Sequence, residues 1–163
     1  MSAVKKIENF SGGGTIMEEK VHYLQIDTPD GIVKLKISRF ILGNDDEKVV
    51  VSTFIQEKKL SFQAETTETA LILLAKELPK TWKIKSCLSC RFGHFCPVGN
   101  CDNELFCVTE FEPKEPCDLW YVTEDDEERR KRSRTLFDCC ECYKEQSKDY
   151  FTYSDFYFEV ESR

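Results

Sequence analysis

The sequence predicts an α+β fold, in which an antiparallel β meander with one packed helix precedes a cysteine-rich, metal-stabilised part and a C-terminal strand. Three observations support this prediction. Apolar and polar side chains alternate along four segments of the first 64 residues, one later segment has helical periodicity, and all nine cysteines follow residue 86.

Four strands begin the predicted meander, because alternation fits a sheet with one buried face. The first two flank the tetrapeptide TPDG, whose Asp30-Gly31 pair is a strong hairpin signal. Two stretches of turn-like composition, GNDDEK and QEKK, separate the later strands. The predicted strands are residues 21–27, 32–38, 49–55 and 60–64.

The helix is predicted over TTETALILLAKELP, residues 66–79. Thr66 or Thr67 can cap its first turn, and Pro79 ends it. Four apolar side chains share one face at helical spacing, namely Leu71, Leu74, Ala75 and Leu78. The segment TWKIKS then returns as a strand that leads into the first pair of cysteines.

The chain changes composition at residue 86, which predicts a strand-rich α+β part, residues 1–85, and a cysteine-rich metal-binding part, residues 86–163. We expect the two parts to pack into one globular unit. The second part has no isoleucine and only four leucines, yet it holds every cysteine and eight of the twelve phenylalanines. Segments with so few aliphatic side chains usually need a staple such as a metal ion.

Two further elements are predicted in the second part. In EDDEERRKRSR, residues 124–134, four acids each precede a base by four positions, which suits a solvated helix or a charged loop. Near the end of the chain, Phe156, Phe158 and Val160 alternate with polar residues. This alternation predicts a final strand that closes onto the sheet.

The cysteines predict a structural zinc site. Cys87-Leu-Ser-Cys90 and Cys139-Cys-Glu-Cys142 each place two thiols three positions apart, so that each pair can grip one ion. Two such pairs make a tetrahedral set of four sulfurs that suits zinc. Four other cysteines compete for these roles, and eight thiolates also permit two ions or an iron–sulfur cluster. The competitors are Cys96, Cys101, Cys107 and Cys117.

Two resemblances bear on the ligands. The stretch CLSCRFGHFCPVGNC, residues 87–101, resembles the cysteine segment that binds auxiliary clusters in SPASM-type domains of radical enzymes. That resemblance implies an iron–sulfur cluster on Cys87, Cys90, Cys96 and Cys101. The longer stretch, residues 87–142, resembles small bacterial cysteine-containing families of unknown function. It implies that Cys107 is a ligand in place of one member of the second pair.

Catalysis is not expected from these residues. The chain has only two histidines, His22 in a predicted strand and His94 between two phenylalanines, and no HExxH motif. His94 can complete a Cys/His metal site, but a lone histidine beside phenylalanines is more often a packing residue. A redox CxxC normally begins a helix, whereas glycine and proline follow Cys90 within seven residues.

The formal charge of −7 argues against general binding to nucleic acids or anionic membranes. The chain has no long apolar segment and no secretory signal, so we expect a cytoplasmic protein in which thiols stay reduced. The predicted function is a non-enzymatic, zinc-stabilised module that binds another protein, in the manner of an inhibitor or immunity protein. An iron–sulfur electron-transfer or sensor protein is one alternative. Nucleic-acid binding through the basic run RRKRSR, from Arg129 to Arg134, is the other.

Overall fold

A five-stranded antiparallel sheet forms the first part of the chain in a computed structural model, which describes residues 15–43, 48–97 and 104–161. Its strand order is β4-β3-β2-β1-β5, so that the first four strands are neighbours in chain order. The α+β class and the meander are therefore confirmed. The strands are β1 Thr15–Thr28, β2 Gly31–Gly43, β3 Lys48–Ile55, β4 Lys58–Ala64 and β5 Lys83–Lys85.

The hairpin between β1 and β2 turns at the predicted position. Thr28 pairs with Gly31, and the Thr28 hydroxyl donates to the Gly31 carbonyl at 2.7 Å. Gly31 has a φ of +118°, a conformation that side chains disfavour, which explains the glycine after Asp30. The predicted hairpin is confirmed.

Helix α1, Thr67–Glu77, covers one face of the sheet as predicted. The Thr66 side chain caps it by accepting from the Thr69 backbone N–H at 3.1 Å. Its buried side chains pack against strand residues such as Leu24, Ile37 and Val51. This contact makes the main hydrophobic core of the protein.

A second, three-stranded sheet follows in the order β6-β7-β8. Its strands have only two or three residues, and short helices surround it. Within the described residues no helix is long and apolar enough to cross a membrane. The elements are β6 Gly93–His94, β7 Leu105–Cys107, β8 Ser133–Arg134, α2 Trp120–Glu124, α3 Asp126–Arg132, α4 Phe156–Glu161 and 3-10 helices over Cys87–Ser89 and Pro116–Leu119.

The few leucines of the second part are all deeply buried. Leu88, Leu105 and Leu136 belong to the same core as the strands and α1. Leu119 lies in a separate cluster with Val108 and Val122. The second part therefore contributes apolar side chains to the core formed with the first part, in addition to its own small cluster.

The C-terminal strand was wrongly predicted, because residues 156–161 form helix α4. Phe156 is 6% exposed and Val160 packs against the core, whereas Phe158 is 65% exposed. Positions four apart share a face of a helix, while positions two apart do not. A period-two pattern of only three apolar residues is too short to exclude a helix, and packing against α1 decides the conformation here.

Candidate metal centre

The first cysteine pair lies on a tight turn directly after β5. Cys87 and Cys90 are 6% and 5% exposed, and the Cys90 N–H donates to the Cys87 carbonyl at 3.3 Å. Ser89 fixes the turn, because its hydroxyl donates to the Ile84 carbonyl at 2.7 Å and accepts from the Ser86 N–H at 3.1 Å. The turn therefore holds both thiols on one short, rigid stretch of backbone.

The β6–β7 pairing brings a third thiol to this turn. Gly93 pairs with Cys107, and the Gly93 N–H donates to the Cys90 carbonyl at 3.0 Å. A Cβ atom on Gly93 would lie 2.1 Å from the Cys87 carbonyl oxygen, so only glycine fits there. The strand pairing and the close backbone approach set Cys107 beside the first pair.

The segment that carries Cys139, Cys140 and Cys142 reaches the same turn through backbone hydrogen bonds. The Cys87 N–H donates to the Asp138 carbonyl at 2.6 Å, one residue before Cys139. Further along, Cys90 forms a bridge with Glu145, and the Gln146 N–H donates to the Ser89 carbonyl at 3.2 Å. Residues 138–146 are thus joined to the turn at both ends.

Four thiols share electrostatic interactions, and we call them the thiol cluster: Cys87, Cys90, Cys107 and Cys140. Burial, together with the neighbouring Cys90, Asp138, Cys107 and Cys140, raises the pKa of Cys87 to about 12. Burial also raises the pKa of Cys107, with Arg134 opposing and Cys140 and Cys90 adding to the increase. All four are free thiols. A cation placed among them would reverse this preference, because it stabilises thiolates.

The predicted second pair, Cys139 and Cys142, lies on either side of Cys140 in the same segment. Burial raises the pKa of Cys139, while the nearby Lys85 ammonium lowers it and Cys140 and Cys90 raise it. Cys139 is half-buried, and Cys142 is exposed. Cys140 is exposed like Cys142. It is favoured as a candidate ligand because it raises the pKa of both Cys87 and Cys107.

The sulfur atoms are not yet as close as a bound zinc ion would hold them. Tetrahedral zinc–thiolate sites have sulfurs about 3.8 Å apart. Within the described residues, the only three ligand atoms that lie within 4.8 Å of one another belong to Glu115, Cys117 and Asp118. Binding to the thiol cluster therefore requires its side chains to rotate inward.

The surface trio around Cys117 has a simpler role. Asp118 accepts from the Lys114 and Glu115 N–H groups at 2.8 and 3.2 Å and so caps the short helix that contains Cys117. The pKa of Cys117 is raised chiefly by its hydrogen bond to Glu115. These contacts explain the trio as a helix cap.

Two candidate ligands of the SPASM-type resemblance lie elsewhere or cannot be placed. Cys96 is half-buried and lines a surface cleft with Phe95, Tyr150 and Phe151. Cys101 lies outside the described residues. The structure therefore does not test the predicted cluster on Cys87, Cys90, Cys96 and Cys101.

His94 is a fully buried packing residue. Its Nδ1 accepts from the Tyr153 N–H at 3.1 Å, and its ring lies near that of Phe151. Burial lowers its pKa to about 4, so the ring is neutral at physiological pH. Its Nε2 has no hydrogen-bond partner among the described residues.

The basic run of the nucleic-acid alternative is engaged by acidic and aromatic neighbours. Lys131 pairs with Glu127 at 3.0 Å, and Arg132 pairs with Glu128 at 3.1 Å, which confirms two of the predicted pairs. Arg129 lies over the Phe106 ring at 5.8 Å. Asp125 was predicted to pair with Arg129. Its side chain instead accepts from the Glu127 and Glu128 N–H groups and caps α3.

Sequence reasoning missed two residues of the site. Cys140 was considered only as a late cysteine in the bacterial resemblance, because spacing alone favours the pair that surrounds it. Gln146, whose side chain donates to the Leu88 and Cys90 carbonyls at 2.8 and 3.3 Å, has no local sequence signal at all. Both residues reach the turn only because the chain folds back on itself over more than 50 sequence positions.

Comparisons of the chain with protein-family models, with curated proteins and with solved structures find no match. The function of the site must therefore be argued from the geometry and chemistry of this chain alone.

Proposed function

We propose that the thiol cluster, Cys87, Cys90, Cys107 and Cys140, binds one zinc ion that stabilises residues 86–161, and that the protein is a non-enzymatic module that binds another protein. One observation carries the metal proposal. Two separate stretches of chain are joined to the buried Cys87–Ser89 turn through backbone hydrogen bonds and strand pairing, and each brings at least one cysteine to the two of the turn. Four thiolates form a closed zinc site, which is typical of structural zinc.

The chemistry of the cluster supports a structural role for the metal. Reactive thiols need a lowered pKa, whereas burial raises the pKa of Cys87 and Cys107. The two histidines are engaged in packing: His94 accepts from Tyr153, and the His22 ring stacks on Phe137 with centroids 4.0 Å apart. Among the described residues, neither histidine forms a hydrogen bond to a cysteine, as a base that activates a thiol would.

The surface of the second part supports a protein partner. Phe111, Trp120 and Phe158 are large apolar side chains that are at least 40% exposed. Residues 86–163 carry 18 acidic and 10 basic residues. Exposed aromatic residues in a part of the chain with net negative charge favour a partner with a basic surface and an apolar pocket. An inhibitor- or immunity-like role in the cytoplasm fits this combination.

Elemental analysis of protein purified without added metal tests the metal proposal, together with native mass spectrometry. We expect one zinc ion per chain and a colourless protein. Stoichiometric iron with brown colour would favour the iron–sulfur alternative. A metal-free protein that is fully folded would refute the metal proposal.

Affinity capture with a matched variant tests the binding proposal. The double variant Trp120→Ser, Phe158→Ser changes two exposed side chains, so we expect it to fold and to keep its metal. A partner should be retained by the unchanged protein and lost by the variant. If both retain the same proteins, Trp120 and Phe158 do not belong to the binding site.

A further inference from the structure

We propose that the cavity between α1, β5, residues 143–146 and α4 binds a small, neutral aromatic molecule that carries an N–H or O–H hydrogen-bond donor. The cavity has a volume of about 250 Å³. A cavity of about 150 Å³ suffices for benzene, so this one has room for one or two fused rings. This inference goes beyond the proposed function and does not depend on it.

About half of the residues that line the cavity are apolar or aromatic. Aromatic rings line it from Trp82, which directly precedes β5, and from α4, and aliphatic side chains add to the lining. Such a lining favours a flat, apolar ligand, because ring stacking and burial both stabilise it. The apolar and aromatic wall residues are Ala75, Trp82, Ile84, Phe156, Tyr157 and Val160.

One lining residue, Gln146, has an unused hydrogen-bond acceptor. It is 5% exposed, and its Nε2 donates to the Leu88 and Cys90 carbonyls, which fixes the orientation of the amide. Its Oε1 is buried and has no hydrogen-bond partner among the described residues. Buried acceptors are nearly always satisfied, so an unsatisfied one at a cavity indicates that a donor belongs there.

Tyr143 supplies a second acceptor beside it. Its hydroxyl lies 3.2 Å from the Ser89 hydroxyl, and the single proton of Ser89 is directed to the Ile84 carbonyl at 2.7 Å. Either hydroxyl can donate in this contact. The shorter bond from Ser89 to Ile84 favours Tyr143 as the donor to Ser89, which leaves the Tyr143 oxygen able to accept. Two acceptors and no spare donor among these groups select a ligand that donates.

The charges around the cavity favour a neutral ligand. Four charged residues line it, two of each sign, and Lys83 pairs with Glu145 at 2.5 Å. Lys80 and Glu161 are the other two. A charged ligand would gain little from such a balanced set and would lose its hydration.

A matched pair of probes tests the inference on the full chain as purified. Indole and benzofuran have nearly the same size, but only indole has an N–H donor. Titration followed by ¹H–¹⁵N NMR should give saturable shifts at the Trp82 indole and at the Gln146 side-chain amide. We expect indole to bind about tenfold more tightly, which corresponds to one hydrogen bond.

Two variants complete the test. Tyr143→Phe removes only the hydroxyl and should weaken indole binding by about tenfold while the affinity of benzofuran stays the same. Val160→Trp should fill the cavity and abolish binding of both probes. Equal affinities for the two probes, or shifts confined to other surfaces, would overturn the inference. A zinc-loaded, folded protein that binds neither probe would overturn it and leave the metal proposal intact.

Discussion

Gly93 lies directly against the Cys87 carbonyl, where a Cβ atom would come within 2.1 Å of the oxygen. The same glycine pairs with Cys107 and donates its N–H to the Cys90 carbonyl. Three members of the thiol cluster are therefore held at their relative positions by one residue that has no side chain. The close approach, rather than an unusual φ, is the reason that glycine is required here.

Gly93→Ala should disrupt the thiol cluster. The added methyl group must push the Cys87 carbonyl away, which we expect to cost about 2–3 kcal/mol of unfolding free energy and to lower zinc content. Urea denaturation and elemental analysis measure the two effects. Gly31→Ala is the control, because its φ of +118° strains alanine but no atom lies within 4 Å. It should lose about 1 kcal/mol and keep its zinc. Equal zinc content in the two variants would contradict this prediction.

Serine substitutions at neighbouring cysteines separate two of the possible ligand sets. Cys140→Ser should abolish zinc binding and unfold residues 86–161, because a structural metal supplies folding free energy. Cys142→Ser alters an exposed thiol two residues away and should retain one zinc ion per chain. Elemental analysis and circular dichroism measure the outcomes. The reverse result would restore the set of Cys87, Cys90, Cys139 and Cys142.

Serine substitutions also test the two cysteines of the turn after β5. Cys87→Ser and Cys90→Ser should lose the metal, whereas Cys117→Ser should be mild, because Cys117 lies in a capped surface helix. Equal damage from all three would show that Cys117 is also a ligand.

The sheet and α1 could be predicted because their signals are local. Alternation defines the strands, Asp30-Gly31 defines the hairpin, and Thr66 and Pro79 bound the helix. Each of these signals acts within a few residues, so tertiary contacts reinforce it without having to override it.

The site and the last helix could not be fully predicted, because they depend on contacts between distant residues. Spacing identified Cys87 and Cys90, but the choice among Cys139, Cys140 and Cys142 depends on how residues 138–146 approach the turn. Spacing favours Cys139 and Cys142, but it carries no information on which thiol approaches the turn in three dimensions. For residues 156–161, packing against α1 outweighs a short alternating pattern.

Phe156 and Phe158 test the helical conformation of α4. Phe156→Ala removes a buried ring and should cost about 3 kcal/mol, whereas Phe158→Ala changes a side chain that is 65% exposed and should cost less than about 0.5 kcal/mol. Urea denaturation of both variants measures the difference. A strand would place both rings on one face, so comparable losses would indicate the strand that the sequence predicts and contradict the helix.

His94 should make the protein less stable in acid. Its pKa is about 4 in the folded protein because of burial, against an ordinary value of 6.5, so only the unfolded chain takes up the proton between these two values. The stabilisation is complete above pH 6.5 and is lost as the pH falls towards 4, on the order of 3 kcal/mol in total. Urea denaturation at pH 7, 6, 5 and 4 measures the loss. Protonation of thiolates would add its own pH dependence, so the comparison is with His94→Gln, which has no titrating ring. We expect a shallower decline for that variant, and parallel profiles for the two proteins would contradict the prediction.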